Sequence, residues 1–305
     1  MARRAKDGRG IGAVREAGPS IISVLDALNR SEPRPPDDGE QKDKKNYAER
    51  LSNNLAVVIA NALRQTGQFP GVLPNADGTG RETTTASGAH KKPKKTDVRF
   101  STFDTGLELL VSVKTLSFRD SSMKKGQRVS GRYTKNMVRN DHELRAEATD
   151  LHERHPYAVL IGTLFLPFRA CDDGESDKSS FAHAVITFRP RAGRSKPTDP
   201  NQLFERFFIG LYEIEGEHRG DVSFFDVTEN PPRRGRPKRI QSSDSQAPRG
   251  LLSFDEMIGE VVKTYGIRNR RYIEWADEAE PTVPLLESPP EDADDTDESI
   301  PESGS

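Results

Sequence analysis

The sequence predicts an α/β fold in which a mixed central β-sheet is flanked by helices. Three observations indicate it. Apolar residues recur at helical spacing between residues 46 and 67, two extended runs follow over 97–116, and a continuous apolar run occupies 157–166. A run of that last kind is expected of a strand that is covered on both faces. Helices and strands therefore alternate along the chain, as they do where helices pack on a sheet.

The composition confines the packed part of the chain to its middle. Hydrophobic residues make up 33% of the 305 residues, and with the 24 glycines the apolar share reaches about 41%, below the roughly 45–50% of globular domains. Charged residues are 31%, above the usual quarter. We therefore expect an α/β domain over 46–227, a mostly disordered N-terminal segment over 1–45 and an acidic disordered tail over 276–305.

The first predicted elements lie before the sheet. Within the polar N-terminal segment, the apolar residues of 21–28 predict either a short helix or a small docking segment. Apolar spacing over 46–66 predicts the first long helix, and Gly67 is a natural residue to follow its C-terminus. The polar stretch over 68–96 is predicted to be a long loop with room for one short strand.

The next elements form the centre of the predicted domain. Two extended runs, over 97–103 and 107–116, predict a β-hairpin with its turn at 104–106. A basic loop over 117–135 follows, and then a helix over 136–155 whose apolar residues share one face.

The second half of the chain mixes apolar runs with polar loops. Ser253 and Glu256 have the spacing of a capping box and indicate the start of a last helix. The elements predicted after the central buried strand are a strand over 182–188, a helix over 201–213, a strand over 221–227, a basic linker over 228–250 and a helix over 251–275.

Charge is unevenly distributed along the chain. The net charge is −2, but residues 274–305 include twelve acidic residues and no basic one, so residues 1–273 carry about +10. A basic body favours a polyanionic partner, most often nucleic acid. A solvated surface that happens to be basic is the alternative.

Several classes of protein are disfavoured. The single cysteine, Cys171, excludes an internal disulfide framework and a zinc site built from several cysteines. The longest apolar run, over 158–166, is too short to span a bilayer, and residues 1–18 lack the apolar core of a secretory signal. We therefore expect a cytoplasmic protein that does not contact a membrane.

The predicted hairpin brings a carboxylate and an amine together. Residues equally distant from the turn face each other, so a turn at Thr105 and Gly106 places Asp97 opposite Lys114. Because side chains alternate along a strand, Ser112 and Lys114 point to the same side. The plain alternative is that Asp97 only caps a strand and Lys114 only protects a sheet edge.

Thr96-Asp97 and Ser112-Val113-Lys114 resemble the paired motif of the PD-(D/E)xK nucleases, the restriction-endonuclease-like superfamily. In that motif an Asp opens one strand, and an acidic residue and a Lys, one residue apart, end the next. The order of elements over 46–166 is similar as well, with a helix before the hairpin and a helix and a buried strand after it. The resemblance implies a restriction-endonuclease-like core and a Mg²⁺-dependent endonuclease that hydrolyses DNA phosphodiester bonds.

Ser112 departs from this motif, because it stands where the superfamily has an acidic residue. Mg²⁺ needs hard oxygen ligands, and a serine does not supply an anion. Some members of the superfamily carry the missing carboxylate elsewhere, often on the first core helix, which makes Glu49 the candidate here. Glu108 is a weaker candidate, since it lies roughly 20 Å along the strand from Lys114.

The resemblance also assigns roles. Asp97, Glu49 and the carbonyl of Val113 would hold Mg²⁺. Lys114 would orient or deprotonate the attacking water, or stabilise the charge of the transition state. Ser112 would support these groups through hydrogen bonds.

Basic residues beyond the hairpin are the predicted DNA contacts. On the helix after the basic loop, Arg145 would hold a phosphate and His142 would transfer protons, with a solvated helix face as the alternative. Arg-Gly-Arg at 234–236 resembles an AT-hook, whose extended backbone lies in the DNA minor groove. The residues expected to contact nucleic acid are Lys124, Lys125, Arg128, Arg132, Arg234 and Arg236.

Three functions are compatible with these patterns. The first is a Mg²⁺-dependent DNA endonuclease of the restriction or phage-defence kind, in which a homodimer would supply two active sites for double-strand cleavage. The second, motivated by Ser112, is a catalytically inactive nuclease-like subunit that binds DNA within a larger defence complex. The third is a protein-interaction scaffold whose basic loops are incidental.

Overall fold

A seven-stranded mixed sheet forms the centre of the protein. The computed structural model describes residues 21–80, 96–103, 105–124, 127–173, 177–240 and 249–278, and their side chains apart from those of 121–130, 249 and 269–278. The helices are α1 (Val24–Ser31), α2 (Gln41–Gln65), α3 (Met137–Arg154), α4 (Ser180–Phe188) and α5 (Phe254–Glu278). The strands are β1 (Val98–Thr102), β2 (Gly106–Thr115), β3 (Ser121–Lys124), β4 (Gln127–Ser130), β5 (Val159–Pro167), β6 (Arg206–Tyr212), β7 (Val222–Asp226), β8 (Arg239–Ile240) and β9 (Arg249–Leu252).

The order of strands in the sheet is β1-β2-β5-β6-β7-β9-β8, and β3 pairs with β4 separately. β2, β5 and β6 run parallel to one another. β1 is antiparallel to β2, and β7, β9 and β8 are each antiparallel to their neighbours. The last residues of β2, β5 and β6 therefore lie at one end of the sheet, which we call the carboxyl end, and their first residues lie at the amino end.

Helices cover both faces of the sheet, and β2 shows how the faces are separated. Leu109, Val111 and Val113 belong to the hydrophobic core that includes α1, α2 and α5. Leu110, between them, belongs to the opposite core with α3 and α4. This alternation follows from the two-residue period of a strand. Because both faces are covered, β5, an interior strand of the sheet, is buried along its whole length.

The predicted sheet flanked by helices is confirmed, and so are most of its parts. The hairpin forms β1 and β2, the helix predicted over 136–155 is α3, and the apolar run is β5. The strand predicted over 221–227 is β7. The capping box before α5 is also present, since the carboxylate of Glu256 accepts from the N–H of Ser253 at 2.7 Å and the hydroxyl of Ser253 accepts from the N–H of Glu256 at 3.2 Å.

Two predicted elements are of the wrong type. The stretch 182–188, predicted as a strand, is helix α4, and Ser179 caps it by accepting a hydrogen bond from the N–H of Ala182 at 3.1 Å. The stretch 201–213, predicted as a helix, contains strand β6. Both stretches have long apolar runs in which neither a strand period nor a helix period is visible.

Order begins earlier than the sequence predicts. Helix α1 lies within the segment predicted to be mostly disordered, a capping box of Ser23 and Asp26 starts it, and its apolar residues pack with α2. Helix α2 begins at Gln41 rather than near residue 46. Of the two alternatives for 21–28, the short helix is the one found, and it covers Val24–Ser31. Residues 1–20 and 279–305, on which the predicted tails mostly fall, lie outside the described residues.

The predicted basic linker over 228–250 is more ordered than expected. It contributes β8 and the first residues of β9 to the sheet, and its residues 241–248 lie outside the described part. Among the helices of the described ranges, none is long and apolar enough to cross a membrane.

Candidate active site at the carboxyl end of the sheet

The register of the β1–β2 hairpin differs from the predicted one by two residues. Val98 pairs with Val111, so Asp97, one residue earlier, falls beside Ser112 and not opposite Lys114. The cause lies at the turn, where Thr102 pairs with Gly106, which begins β2 with a positive φ of 73°, so the pairing there is three residues from the predicted one. The slip between Phe100 and Ser101 recovers one of these three residues. A bulge of this kind adds a residue to one strand and moves every later pairing.

Asp97 is nevertheless fixed next to the predicted lysine. Its Oδ2 accepts a hydrogen bond from the backbone N–H of Val113 at 2.8 Å. The carboxylate thus binds a backbone N–H of β2 one residue before Lys114. The side chain of Asp97 is half-buried, as is that of Lys114.

The second carboxylate at this place is Glu147 on α3. Its Oε1 accepts a hydrogen bond from the hydroxyl of Ser112 at 2.5 Å, and its Oε2 lies 4.0 Å from the Nζ of Lys114. Glu147 is buried, and acidic residues are rarely buried without a partner. We refer to Asp97, Ser112, Lys114 and Glu147 together as the Lys114 cluster.

The contact with Glu147 explains the serine in the motif. Ser112 is fully buried, its hydroxyl donates to Glu147, and its carbonyl accepts from the hydroxyl of Thr163 at 2.8 Å. An acidic residue at position 112 would place two carboxylates against each other in a buried position, which is unfavourable. Ser112 and Glu147 therefore complement each other, and the acidic group reaches the cluster from a helix.

Glu49, the predicted substitute, does not join the cluster. It is exposed on α2 and forms no hydrogen bond or ion pair with another described residue. Helix α2 packs on the face of β2 that carries Val113, whereas Ser112 and Lys114 point to the face covered by α3. What α2 supplies instead is Ser52, whose hydroxyl donates to the carbonyl of Val113 at 3.0 Å.

The other predicted acidic candidate lies at the opposite end of the hairpin. Glu108 accepts hydrogen bonds from the hydroxyls of Thr102, Thr105 and Tyr265. Partial burial of Glu108 on its own would raise the pKa of its carboxyl, but these three donors together hold that pKa below its ordinary value. Glu108 is therefore a satisfied structural group near the amino end of β2.

His142 and Arg145 are also separated from the cluster. They lie with Thr149 and Glu153 along a shallow depression on the exposed side of α3. Glu147 is on the buried side of the same helix, so the predicted supporting roles of His142 and Arg145 at the cluster are not realised in this arrangement. The solvated helix face is the alternative that fits them.

The predicted nucleic-acid contacts that can be located lie around the carboxyl end. Arg132 donates to the carbonyl of Lys178 at 2.5 Å and lies 3.9 Å from Asp173. The side chains of Lys124 and Arg128, and the whole of Lys125, lie outside the described residues.

The AT-hook-like segment is docked on the same end of the sheet. Arg234 forms an ion pair with Asp172 at 2.7 Å, and Arg236 pairs with Glu213, which directly follows β6. The guanidinium of Arg236 also lies 4.4 Å from the ring centre of Phe168, which directly follows β5. These two arginines therefore lie at the ends of β5 and β6, each paired with an acidic residue.

The Lys114 cluster has donors that suit a magnesium ion. Over the described residues, no three His, Cys, Asp or Glu side chains come together as a ready metal site. Proteins commonly hold Mg²⁺ through one or two carboxylates, and water and substrate phosphate complete the shell. Asp97 and Glu147, with the carbonyl of Val113, fit that pattern, whereas a site made of protein ligands alone would not form here.

Comparison with known proteins adds no assignment. No protein-family model matches the chain, and neither a curated protein nor a solved structure matches it.

Proposed function

We propose that this protein is a Mg²⁺-dependent DNA endonuclease with a restriction-endonuclease-like core, in which Glu147 provides the acidic group that Ser112 lacks. The observation that carries the proposal is the Lys114 cluster: two carboxylates and a lysine gathered around Ser112-Val113, at the carboxyl end of a mixed sheet. Ligand sites in open α/β sheets lie at this end of the strands.

Each residue of the cluster has a chemical task in phosphodiester hydrolysis. Asp97 and Glu147 would hold Mg²⁺, which when bound supplies Lewis-acid stabilisation and a more acidic water. Lys114 places a positive charge where the phosphate becomes more negative in the transition state. Ser112 orients Glu147 through its hydroxyl, and the N–H of Val113 orients Asp97.

The surface around the cluster supports DNA as the substrate. Arg132, Arg234 and Arg236 lie at the same end of the sheet, each paired with an acidic residue that a DNA phosphate would replace as its partner. Such residues contact phosphates and hold a duplex in register without reading its sequence. Because their charge is sequence-independent, DNA affinity should fall steeply as salt concentration rises.

The direct test is cleavage of plasmid DNA by the purified protein. We expect cutting with Mg²⁺ and none with EDTA, and loss of cutting in Asp97→Asn and Lys114→Met with unchanged melting temperatures. Wild-type protein that leaves DNA intact in both Mg²⁺ and Mn²⁺ would overturn the proposal.

A matched pair of variants tests which glutamate serves the site. Glu147→Gln should lower the cleavage rate by at least about a hundredfold, the scale of losing one group that stabilises transition-state charge. Glu49→Gln, on the other face of the sheet, should retain the wild-type rate. The reverse result would return the role to Glu49.

A catalytically inactive DNA-binding subunit is the second candidate. It is favoured by the contacts of Glu147, because Ser112 and Lys114 engage both of its oxygens without a metal ion. It predicts that wild-type protein retards DNA in a gel, that the retardation weakens with salt, and that no divalent ion produces cleavage.

A further inference from the structure

A cavity of about 350 Å³ lies beside the Lys114 cluster. Its walls come from the first turns of α2, the segment 115–120 that follows β2, and the start of α3. Thr115, the residue after Lys114, is one of the residues that line it. We call this space the basic cavity.

The charged side chains that line the basic cavity are mostly basic, and one of them, Arg139, is paired with Glu143 at 2.7 Å. The charged residues around it are Lys44, Lys45, Arg119, Lys135, Arg139 and Asp120. Lys44 donates to a backbone carbonyl, that of Asp37, at 3.0 Å, so its charge is not neutralised there. Lys45 and Lys135 are exposed and form no ion pair with another described residue. Asp120 is the one acidic residue among the described residues of the lining; burial raises the pKa of its carboxyl, and the nearby charge of Lys135 acts to lower it.

The backbone adds to this positive potential. Helix α2 begins at Gln41 and helix α3 at Met137, and residues of both first turns line the basic cavity. The start of a helix carries a partial positive charge and N–H groups that favour anions. Two such helix ends meet at one space that already holds several cations, which indicates an anionic ligand.

One wall of the basic cavity is apolar and rigid. Leu116 and Phe118 form it. The ring of Phe118 is held by the guanidinium of Arg34, 4.7 Å from the ring centre, and by the edge of Tyr47, 5.5 Å between ring centres. A bare phosphate would leave this wall without a contact. A volume of about 350 Å³ lies at the lower end of the range of about 300–1,000 Å³ for small-molecule sites.

We propose that the basic cavity binds a single nucleotide of the DNA strand that reaches the Lys114 cluster, with the phosphate near Lys45 and Lys135 and the base against Leu116 and Phe118. That the nucleotide belongs to a substrate strand rests on the proposed endonuclease function. The binding of a nucleotide in the cavity does not depend on cleavage.

Calorimetric titration at low salt with EDTA present tests the cavity in the absence of cleavage. The probes are deoxyadenosine 5′-monophosphate, inorganic phosphate and deoxyadenosine. We expect the monophosphate to bind at least about tenfold more tightly than either fragment, because only it contacts both walls.

Lys45→Ala/Lys135→Ala should weaken the affinity for the monophosphate by at least about tenfold, the equivalent of about 1.4 kcal/mol. The matched control is Lys42→Ala/Arg145→Ala. It removes one exposed cation from α2 and one from α3, neither of which lines the cavity, and should bind the monophosphate as the wild type does.

Other results of these titrations overturn the proposal. Absence of binding, equal affinity for phosphate and monophosphate, or equal weakening in both double variants excludes a nucleotide site in the cavity. A short single-stranded DNA that fails to displace the monophosphate excludes a nucleotide of a DNA strand. Protein that binds the monophosphate but never cuts DNA would refute only the proposed endonuclease function. Protein that cuts DNA but does not bind the monophosphate would refute only the nucleotide site in the basic cavity.

Discussion

A glutamate is buried next to basic side chains at each end of the sheet, but the two glutamates are paired differently. At the amino end, Glu205 precedes β6 and accepts hydrogen bonds from Arg194 at 3.3 Å, from Arg268 at 3.1 Å and from the backbone N–H of Leu160 at 2.8 Å. At the carboxyl end, Glu147 accepts one hydrogen bond from a serine and faces an amine at the longer distance of 4.0 Å.

The two ends also differ in their access to solvent. The side chains of Glu205 and Arg194 are 1% and 0% exposed, whereas that of Lys114 is 25% exposed. His152, 3.7 Å from Glu205, completes the closed group at the amino end. A carboxylate that is enclosed and fully paired serves the fold, whereas a loosely paired carboxylate beside a basic cavity is placed to meet a ligand. We therefore expect changes at the amino end to lower stability and changes at the carboxyl end to lower the proposed cleavage activity.

Removing Glu205 gives the largest expected effect on stability. Glu205→Ala leaves Arg194 and Arg268 buried without their carboxylate, and breaking a buried ion pair costs about 3–5 kcal/mol. Urea denaturation should show this loss in the free energy of unfolding. The rate of DNA cleavage per folded molecule should stay at the wild-type value.

The control is an ion pair on the surface. Glu215→Ala removes the partner of Arg169, and both side chains of that pair are largely exposed, so stability should change by about 0–1 kcal/mol. Equal changes in Glu205→Ala and Glu215→Ala would contradict the structural role of the amino end. A fall in specific activity in Glu205→Ala alone would remove the division between the two ends.

The parts of the fold that could be predicted are those with local signals. The hairpin is marked by alternating residues and a glycine turn, and α5 by its capping box. α4 and β6 have no visible period, because their apolar stretches are covered by neighbours that only the tertiary structure supplies. The turn pairs Thr102 with Gly106, three residues from the predicted register, and no local signal in the sequence fixes that position. The slip between Phe100 and Ser101 recovers one residue, so the predicted facing of Asp97 and Lys114 is two residues out.

The candidate site was half predictable for a similar reason. Asp97 and Lys114 lie on consecutive strands, and a hairpin brings them near each other by local geometry. Glu147 comes from a helix whose packing side decides which face of the sheet it reaches. Its one sequence signal is its position three residues after Leu144 and four before Leu151, on the apolar face of α3, where a carboxylate needs a partner. Glu49 lacks that signal.

Substitution of Ser112 should sharpen the distinction at the carboxyl end. Ser112→Asp restores the acidic residue of the motif but sets it against Glu147, so we expect a loss of about 1–3 kcal/mol in the free energy of unfolding. The loss should shrink as the pH is lowered, because protonation of one carboxyl removes the repulsion. Guanidinium denaturation at several pH values measures both.

Magnesium provides the control for that variant. With an added carboxylate beside Asp97 and Glu147, Mg²⁺ should raise the melting temperature of Ser112→Asp more than that of the wild type or of Ser112→Ala, since a ligand that binds only the folded state stabilises it. Identical shifts in all three proteins would argue that the Lys114 cluster does not face a metal ion.

The smallest expected effect tests whether Glu108, like Glu205, is a structural group at the amino end of the sheet. Its three hydroxyl donors depress the pKa of its carboxyl, so it contributes stability that is fully present above the unfolded pKa of about 4.3 and is lost as the pH falls through the lower folded-state pKa. Tyr265→Phe removes one donor and should cost about 1 kcal/mol at pH 7. Because a protonated Glu108 no longer gains from that donor, the two unfolding curves should converge in acid. The ring of residue 265, which packs against Phe69 at 4.9 Å between ring centres, is kept in the variant. A difference that stays constant with pH would therefore mean that the hydroxyl of Tyr265 does not act through the ionised carboxylate of Glu108.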